Sequence, residues 1–158
     1  MRILIKRDRL KDALASVIGV VDRKQTMPIL GHVLLEESDK LLKFTATNLE
    51  VQISSITKVI KMDPFENIAV SGRKFYEIIR SLDSKEVELK STKGMLVIKT
   101  NNSSYKISTL PGNDFPLFDA SDTSETFKIK QEKLLSLFNK THFSMAQQDV
   151  RFYLNGLL

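Results

Sequence analysis

The side chains in this sequence that could carry out chemistry are few, and they do not form a catalytic set. There are two histidines and no cysteine, so no thiolate metal site is possible. His32 and His142 lie far apart in the chain, and His32 sits within an apolar run typical of a structural residue. Asp114 and Asp119 flank residues 115–118, but the neighbouring prolines favour turn residues over a carboxylate pair. No phosphate-binding loop, nucleophile elbow or HExxH pattern occurs, so we predict a protein that is neither an enzyme nor dependent on a cofactor.

One short stretch near the end of the sequence has residue types that suit nucleic-acid binding. Arg151 is followed by Phe152 and Tyr153. A guanidinium can pair with phosphate, and aromatic rings can stack on unpaired bases. The same residues also fit the start of a strand, with one ring in the core and the other in a turn. One hypothesis is therefore an autonomous basic module that binds single-stranded nucleic acid.

The composition is compatible with an anionic partner without establishing one. Lys and Arg number 24 against 19 Asp and Glu, which gives a net charge of +5, and such mild basicity is also common in ordinary domains. The hydrophobic fraction of 42% is sufficient for a core. No apolar run approaches the roughly 20 residues that span a bilayer, and the charged N-terminus does not resemble a signal peptide. We therefore expect a cytoplasmic protein without a membrane partner.

Two helices are predicted in the first part of the chain, at residues 7–21 and 71–82. In both, apolar residues recur three and four positions apart and form one apolar face. Pro28 requires the first helix to end before it. Ser71 is the expected N-cap of the second helix.

Strands are predicted around these helices from alternating side-chain patterns and turn residues. Helices on one face of an antiparallel sheet define an α+β domain. In chain order, the predicted strands are residues 1–6, 29–36, 42–47, 51–55, 67–70, 86–90, 95–99 and 104–110.

The chain then starts the same pattern again. The order of residue types in residues 3–34 returns in residues 127–158, which indicates two copies of one supersecondary unit. A Pro- and Gly-containing run at 111–116 and a polar run at 121–124 mark the boundary. We predict a complete domain at 1–120. After it we expect a linker and the first strand, helix and strand of an incomplete second copy at 121–158, with strands at 126–130 and from about 150 and a helix at 131–143.

An uncovered apolar face is expected on the helix of the second copy. It would consist of Leu134, Leu135, Leu137 and Phe138. Such a face favours association or disorder, so we expect either poor order beyond about residue 121 or packing against a second molecule.

Several sequence stretches, in order and in register, carry a family resemblance. They are Thr-Met-Pro-Ile-Leu-Gly at 26–31, Ala-Thr-Asn-Leu-Glu at 46–50, Gly-Arg-Lys-Phe at 72–75, Ser-Thr-Leu-Pro at 108–111, and Phe-Ser-Met-Ala at 143–146 with residues 148–156. The chain thereby resembles the bacterial DNA polymerase III β subunits, the replicative sliding clamps. The resemblance implies a ring of two protomers, each with three similar domains, that encircles duplex DNA and confers processivity on the polymerase. It covers the first domain and the beginning of the second.

The resemblance also implies which residues act. DNA contacts are expected from the helix-lined side and from two loops, and Phe152 stands where tyrosine is common. Leu154 matches the margin of the pocket for polymerase and clamp-loader peptides. The expected DNA-binding residues are Lys24, Arg73, Gln148, Arg151, Phe152 and Tyr153.

The subunit joint of the ring is expected on the second helix and on the last strand of the first domain. Core packing explains the apolar members of this set equally well. Asn102 and Ser104 stand where some members carry arginines, so the resemblance implies no arginine ion pairs from these two positions across the joint. The expected interface residues are Lys74, Ile78, Leu82, Tyr105 and Ile107.

Overall fold

A computed structural model of the chain describes residues 2–21, 27–92, 94–118, 127–147 and 149–157. Lys24 and Gln148, two of the predicted DNA-binding residues, lie outside these ranges, and so does the side chain of Phe152. The chain divides into two compact units, Met1–Asp119 and Ala120–Leu158.

In the residues of the first unit that the structure describes, there are two helices and nine strands. The helices are α1 (Arg7–Val17) and α2 (Gly72–Ser81), and short 3-10 segments occur at Ile18–Val20, Pro28–Gly31 and Gly112–Asp114. The strands are β1 (Arg2–Lys6), β2 (His32–Ser38), β3 (Leu41–Thr47), β4 (Gln52–Thr57), β5 (Lys61–Met62), β6 (Ile68–Ser71), β7 (Glu86–Thr92), β8 (Met95–Lys99) and β9 (Ser104–Pro111).

All nine strands join one sheet in the order β4-β3-β2-β6-β9-β8-β7-β1-β5, and every pairing is antiparallel. The unit repeats one plan, because β1-α1-β2-β3-β4 and β6-α2-β7-β8-β9 have the same order of elements. The first strand of each half pairs with the other half's meander, β1 with β7 and β6 with β2. The two halves therefore interlock, and the predicted α+β class is confirmed.

One large core lies between the helices and one face of the sheet. Leu10 and Leu14 of α1 and Phe75 and Ile79 of α2 are fully buried in it, together with the inward residues of the strands. The spacing of three and four residues puts each pair on one helical face. A smaller cluster on the opposite face of the sheet contains Leu34, Ala69 and Phe115, with Ile29 packed against it. In the described residues of the first unit, helices therefore cover one side of the sheet and leave the other side without a helix.

Two turns show why the strands end where they do. Asp39 and Lys40 both have positive φ, 51° and 63°, as required at the centre of a two-residue hairpin turn. The Asn48 side chain accepts hydrogen bonds from the backbone N–H groups of Glu50 and Val51 at 3.0 and 2.8 Å, and this closes the β3–β4 turn.

The sequence pattern missed β5, because two residues are too few to show an alternation.

One detail of the predicted elements is wrong and one is correct only in part. Residues 28–31 form a 3-10 segment, so the second strand starts at His32 and not at residue 29; Pro28 lacks the N–H that a sheet ladder needs. Ser71 does occupy the N-cap position of α2, but its side chain makes no capping hydrogen bond. Ser71 also ends β6, where it pairs with His32.

The second unit contains the predicted helix, α3 (Gln131–Thr141), followed by 3-10 segments at His142–Ser144 and Phe152–Asn155. The two predicted strands of this unit are wrong, since residues 127–130 and 149–157 contain none. A strand needs a neighbour for its backbone N–H and C=O groups, and the described residues of the unit supply none. Leu135, Leu137 and Phe138 are 57%, 46% and 47% exposed, so the apolar face of α3 is uncovered within this unit.

Candidate nucleic-acid interface

The outer side of α1 and α2 is the first candidate surface for DNA. It carries four cations, Arg9, Lys11, Lys74 and Arg80, and three anions, Asp8, Asp12 and Glu77. Lys11 pairs weakly with Asp12, at 3.9 Å between Nζ and Oδ1. The charged side of the first helix, opposite its apolar face, therefore faces solvent. The mixture of charges makes this surface close to neutral, which suits loose contacts with phosphate better than tight binding.

The two helices are tied together by an arginine at the start of each. Arg7 opens α1, and its guanidinium donates to the carbonyl oxygens of Ile79 (Nε, 3.2 Å) and Arg80 (Nη2, 2.8 Å) at the end of α2. Arg73, the second residue of α2, donates from Nη2 to the carbonyl oxygen of Val21, just past α1, at 2.8 Å. We call these contacts the reciprocal arginine caps. Each satisfies carbonyl groups that a helix end leaves without a partner.

Arg7 has a further partner in the first turn of α1. Its Nη1 lies 2.9 Å from Oδ1 of Asp8. This hydrogen bond holds the pKa of the exposed Asp8 carboxyl below its usual value. The role of Arg7 was missed at the sequence level, because an arginine at the start of an amphipathic helix gives no indication of a partner some seventy residues away.

The loop that carries Arg151 is closed by its own hydrogen bonds. Asn155 accepts from the backbone N–H of Asp149 and donates to its carbonyl oxygen, both at 3.0 Å. The backbone N–H of Ala146 donates to the carbonyl oxygen of Leu154 at 2.9 Å. The backbone position of Arg151 is therefore fixed by neighbours in the sequence.

Arg151 itself is held by Asp149. Its Nε and Nη2 atoms each lie 3.0 Å from a carboxylate oxygen, and its backbone N–H donates to the same carboxylate at 2.8 Å. These hydrogen bonds lower the pKa of the Asp149 carboxyl and raise that of the guanidinium. A phosphate must therefore share or displace Asp149, a residue whose role sequence reasoning missed. Tyr153 is 69% exposed.

The five predicted interface residues divide into two groups. Lys74 is exposed, Ile78 is half-buried and Tyr105 is 37% exposed. Leu82 and Ile107 are buried in the main core. Core packing, the alternative reading of the sequence, thus accounts for these last two.

The strand β9 has an open edge beside α2. It pairs with β8 along residues 104–108, but with β6 only along residues 109–111. In the described part of the chain, no strand pairs with the other side of residues 104–108. Unpaired N–H and C=O groups along an edge offer a place for another strand to add. Since α2 contacts β9, the exposed part of the predicted interface borders this edge.

Neither a metal site nor a membrane-spanning helix is found in the part of the chain that the structure describes. His32 has a structural contact, since its Nδ1 lies 2.9 Å from the carbonyl oxygen of Pro28. A carbonyl oxygen can only accept a hydrogen bond, so Nδ1 carries the proton.

Comparison with known proteins agrees with the fold. Residues 1–119 match the family described as DNA polymerase III beta subunit, N-terminal domain. The beta sliding clamp of Pseudomonas aeruginosa is 40% identical over 161 residues, and that of Escherichia coli K12 is 35% identical. Both alignments cover 100% of this chain but 43% of the relative, so the chain spans less than half the length of the curated relatives it matches.

Solved structures give the same result. The DNA polymerase III subunit beta of Pseudomonas aeruginosa superposes with a TM-score of 0.93 at 38% identity, covering 99% of this chain and 43% of the other. The Caulobacter crescentus pol III beta superposes with a TM-score of 0.93 at 33% identity, with 99% and 42% covered. The chain therefore belongs to the DNA polymerase III beta subunit family, whose N-terminal domain its residues 1–119 match.

Proposed function

We propose that the chain forms the N-terminal part of a DNA sliding clamp, which encircles duplex DNA and confers processivity on the replicative polymerase without catalysing a reaction. The observation that carries this proposal is the alignment of the whole chain with proteins named beta sliding clamp. Residues 1–120 would be the first clamp domain, and residues 121–158 a linker and the beginning of the second. The assembled ring would act in the cytoplasm with DNA polymerase III subunits and the clamp loader.

The helix-covered side of the first unit is the proposed DNA-facing side. A clamp must move along DNA, so a nearly neutral surface with scattered cations suits it better than a strongly basic one. We assign further contacts to a set of residues predicted from the sequence: Lys24, Gln148, Arg151, Phe152 and Tyr153. Arg73 stays in this set as a prediction, although its cap on α1 explains the residue without DNA.

The proposed subunit joint lies at the open edge of β9. A strand from a partner protomer would add to residues 104–108 and satisfy their unpaired backbone groups. Lys74, Ile78 and Tyr105 would contact the partner beside that strand. Leu82 and Ile107 would support the joint from the core. Leu154, half-buried in the second unit, would form one margin of the pocket for polymerase and loader peptides.

The alternative, an autonomous single-strand-binding module, has lost support. Its central residue is Arg151, whose guanidinium already donates hydrogen bonds to the carboxylate of Asp149. The matching relatives are named sliding clamps.

A chimera tests the proposal. The chain would replace the corresponding part of the Pseudomonas aeruginosa clamp, and the product would be loaded onto nicked circular DNA. We expect retention at high salt and release after linearisation, because the link to DNA would be topological and not electrostatic. A folded chimera that dissociates from circles and from linear DNA alike would contradict the proposal.

Paired variants of the chimera test the joint. Ile78→Asp with Tyr105→Asp should abolish retention, because charges would enter the contact beside the open edge. Leu110→Asp is the matched control, since Leu110 also lies on β9 and is as exposed as Tyr105, 37%, but it belongs to the part of β9 that β6 already pairs. If the control variant lost retention on circular DNA to the same extent, the subunit joint could not be assigned to the open edge of β9.

A further inference from the structure

The face of the sheet opposite the helices carries an unusual concentration of positive charge. Along the strands β5, β1, β7, β8 and β9, alternate residues such as Ile3, Leu89 and Ile98 enter the main core. The residues between them point to the other side. Six of these outward residues are exposed cations, and one of them, Lys6, lies opposite Glu86. We call the surface formed by the other five the basic sheet face: Arg2, Lys61, Lys90, Lys99 and Lys106.

The register of the sheet brings these cations close together. Arg2 lies opposite Lys90, Lys90 opposite Val97, and Val97 opposite Lys106. These four positions form one row across four adjacent strands. Since neighbouring strands lie about 4.8 Å apart, the row is on the order of 15 Å long.

A second row runs beside the first. Lys61 lies opposite Leu4, Leu4 opposite Glu88, and Glu88 opposite Lys99. Glu88 is the single anion in the two rows, and it forms an ion pair with Arg2. Within the described residues the four lysines make no ion pair, so four uncompensated positive charges share one rigid surface.

Repulsion among these charges costs free energy in the isolated unit. Neighbouring cations of the first row are separated by one or two strand spacings, about 5–10 Å, which does not exceed the screening length of about 8–10 Å in physiological salt. An anionic partner would relieve this repulsion. The lysines lie on paired strands of the sheet, so the hydrogen-bonded ladder fixes the positions of their Cα atoms.

The apolar residues of the face favour protein over nucleic acid as the partner. Leu4 and Val97 are half-buried and lie between the cations. Among the described residues of these five strands, Tyr105 is the one aromatic residue, and it lies on the inner side of β9 with Ile107. No aromatic side chain of these described strands therefore points outward. Sequence-neutral nucleic-acid surfaces usually add aromatic stacking to their cations. Small apolar sites between lysines instead match a peptide in which carboxylates alternate with apolar side chains.

We propose that the basic sheet face docks an acidic segment of a partner protein. The carboxylates of this segment would pair with Lys90, Lys99 and Lys106. Its apolar side chains would pack against Leu4 and Val97. This inference is independent of the proposed DNA-facing side, because the two surfaces lie on opposite faces of the sheet.

Fluorescence anisotropy with the full chain tests the inference. The probe is a fluorescein-labelled peptide of repeated Asp-Asp-Leu triplets at low salt. Lys90→Glu with Lys106→Glu should weaken binding about tenfold, because two attractive contacts become repulsive. The matched control, Lys40→Glu with Lys58→Glu, changes the net charge equally at exposed positions outside the five strands that form this face and should leave binding within about twofold. Circular dichroism confirms that each variant is folded.

Three outcomes would overturn the proposal. One is equal weakening in the control variant, which would mean that only net charge matters. The second is equal affinity for a peptide that contains Asp alone, which would mean that apolar contacts with Leu4 and Val97 contribute nothing to binding. The third is stronger binding of a short DNA duplex with the same sensitivity to the Lys90 and Lys106 substitutions, which would assign the face to nucleic acid.

Discussion

At the scale of single residues, the same side-chain type has unrelated tasks in this chain. Arg7 and Arg73 each complete the end of the opposite helix. Arg151 is held by a carboxylate two residues away, and Arg2 belongs to a charged sheet face. Exposure alone does not separate these roles. The hydrogen-bond partners do: Arg7 and Arg73 reach carbonyl groups more than fifty residues away, whereas the acceptor of Arg151 is two residues away.

Removal of either reciprocal arginine cap should destabilise the first unit. Arg7→Ala or Arg73→Ala leaves helix-end carbonyls without their charged donor, at a cost of about 1–3 kcal/mol each. Urea unfolding measures the change, with Arg9→Ala on the exposed side of α1 as the control. The double substitution should cost less than the sum of the two, because both residues hold the same pair of helices. Full additivity would mean that the two caps act independently.

The pair of Asp149 and Arg151 should respond to acid. The hydrogen bonds from Arg151 lower the pKa of Asp149 in the folded loop. The stabilisation is therefore complete above the carboxyl's usual pKa and disappears as the pH falls through the lowered value. An NMR titration should show the Arg151 Nε–H signal unchanged near neutral pH and shifted only in acid. A shift around neutral pH would exclude Asp149 as the partner.

Release of Arg151 from that pair should strengthen its contact with phosphate. Asp149→Asn removes the competing carboxylate, and we expect affinity for duplex DNA to rise about two- to fivefold at low salt. Anisotropy with a labelled duplex measures the change. The control is Asp83→Asn, which removes the same charge at an exposed position of the first unit. An equal increase in the control would mean that only net charge is being measured.

At the scale of elements, one close approach fixes where the last strand leaves the sheet. Gly112 follows β9, and its N–H donates to the carbonyl oxygen of Asn67 at 2.8 Å. A Cβ at this position would lie 2.5 Å from the backbone carbon of Asn67. Backbone atoms cannot move aside as a flexible side chain can. The junction of β9 and β6 therefore depends on glycine.

Gly112→Ala should cost about 1–3 kcal/mol or more of unfolding free energy, the usual range for overpacking. Gly31→Ala is the control, because a Cβ there meets nothing within 4 Å. Thermal and urea unfolding of both variants measure the difference. If the two variants were equally stable, the contact with Asn67 would not constrain the junction.

At the scale of the whole molecule, the two units differ in how much they bury. The first has a continuous core that joins both helices to the sheet. In the second, no side chain that the structure describes is buried. Local stability follows buried contacts, so the two units should open with very different free energies.

Hydrogen exchange should show this contrast directly. Amides of β2, β3, β7 and β8 should be strongly protected, while those of α3 should exchange at nearly the rate of an isolated helix. Sedimentation alongside the exchange experiment reports the association state. Strong protection of α3 in a monomer would contradict the prediction, whereas protection that appears only with dimerisation would mean that a second copy covers Leu135, Leu137 and Phe138.

The sequence by itself determined the α+β class, both helices of the first unit, eight of its nine strands and the family. Each of these depends on local periodicity or on motifs such as residues 26–31 and 72–75. The tertiary structure decided the interlocking order of the strands, the reciprocal arginine caps, the open edge of β9 and the basic sheet face. These features depend on register and on contacts between residues far apart in sequence, which a periodic pattern does not encode. The predicted strands of the second unit failed for the same reason, because a strand is defined by the neighbour it pairs with.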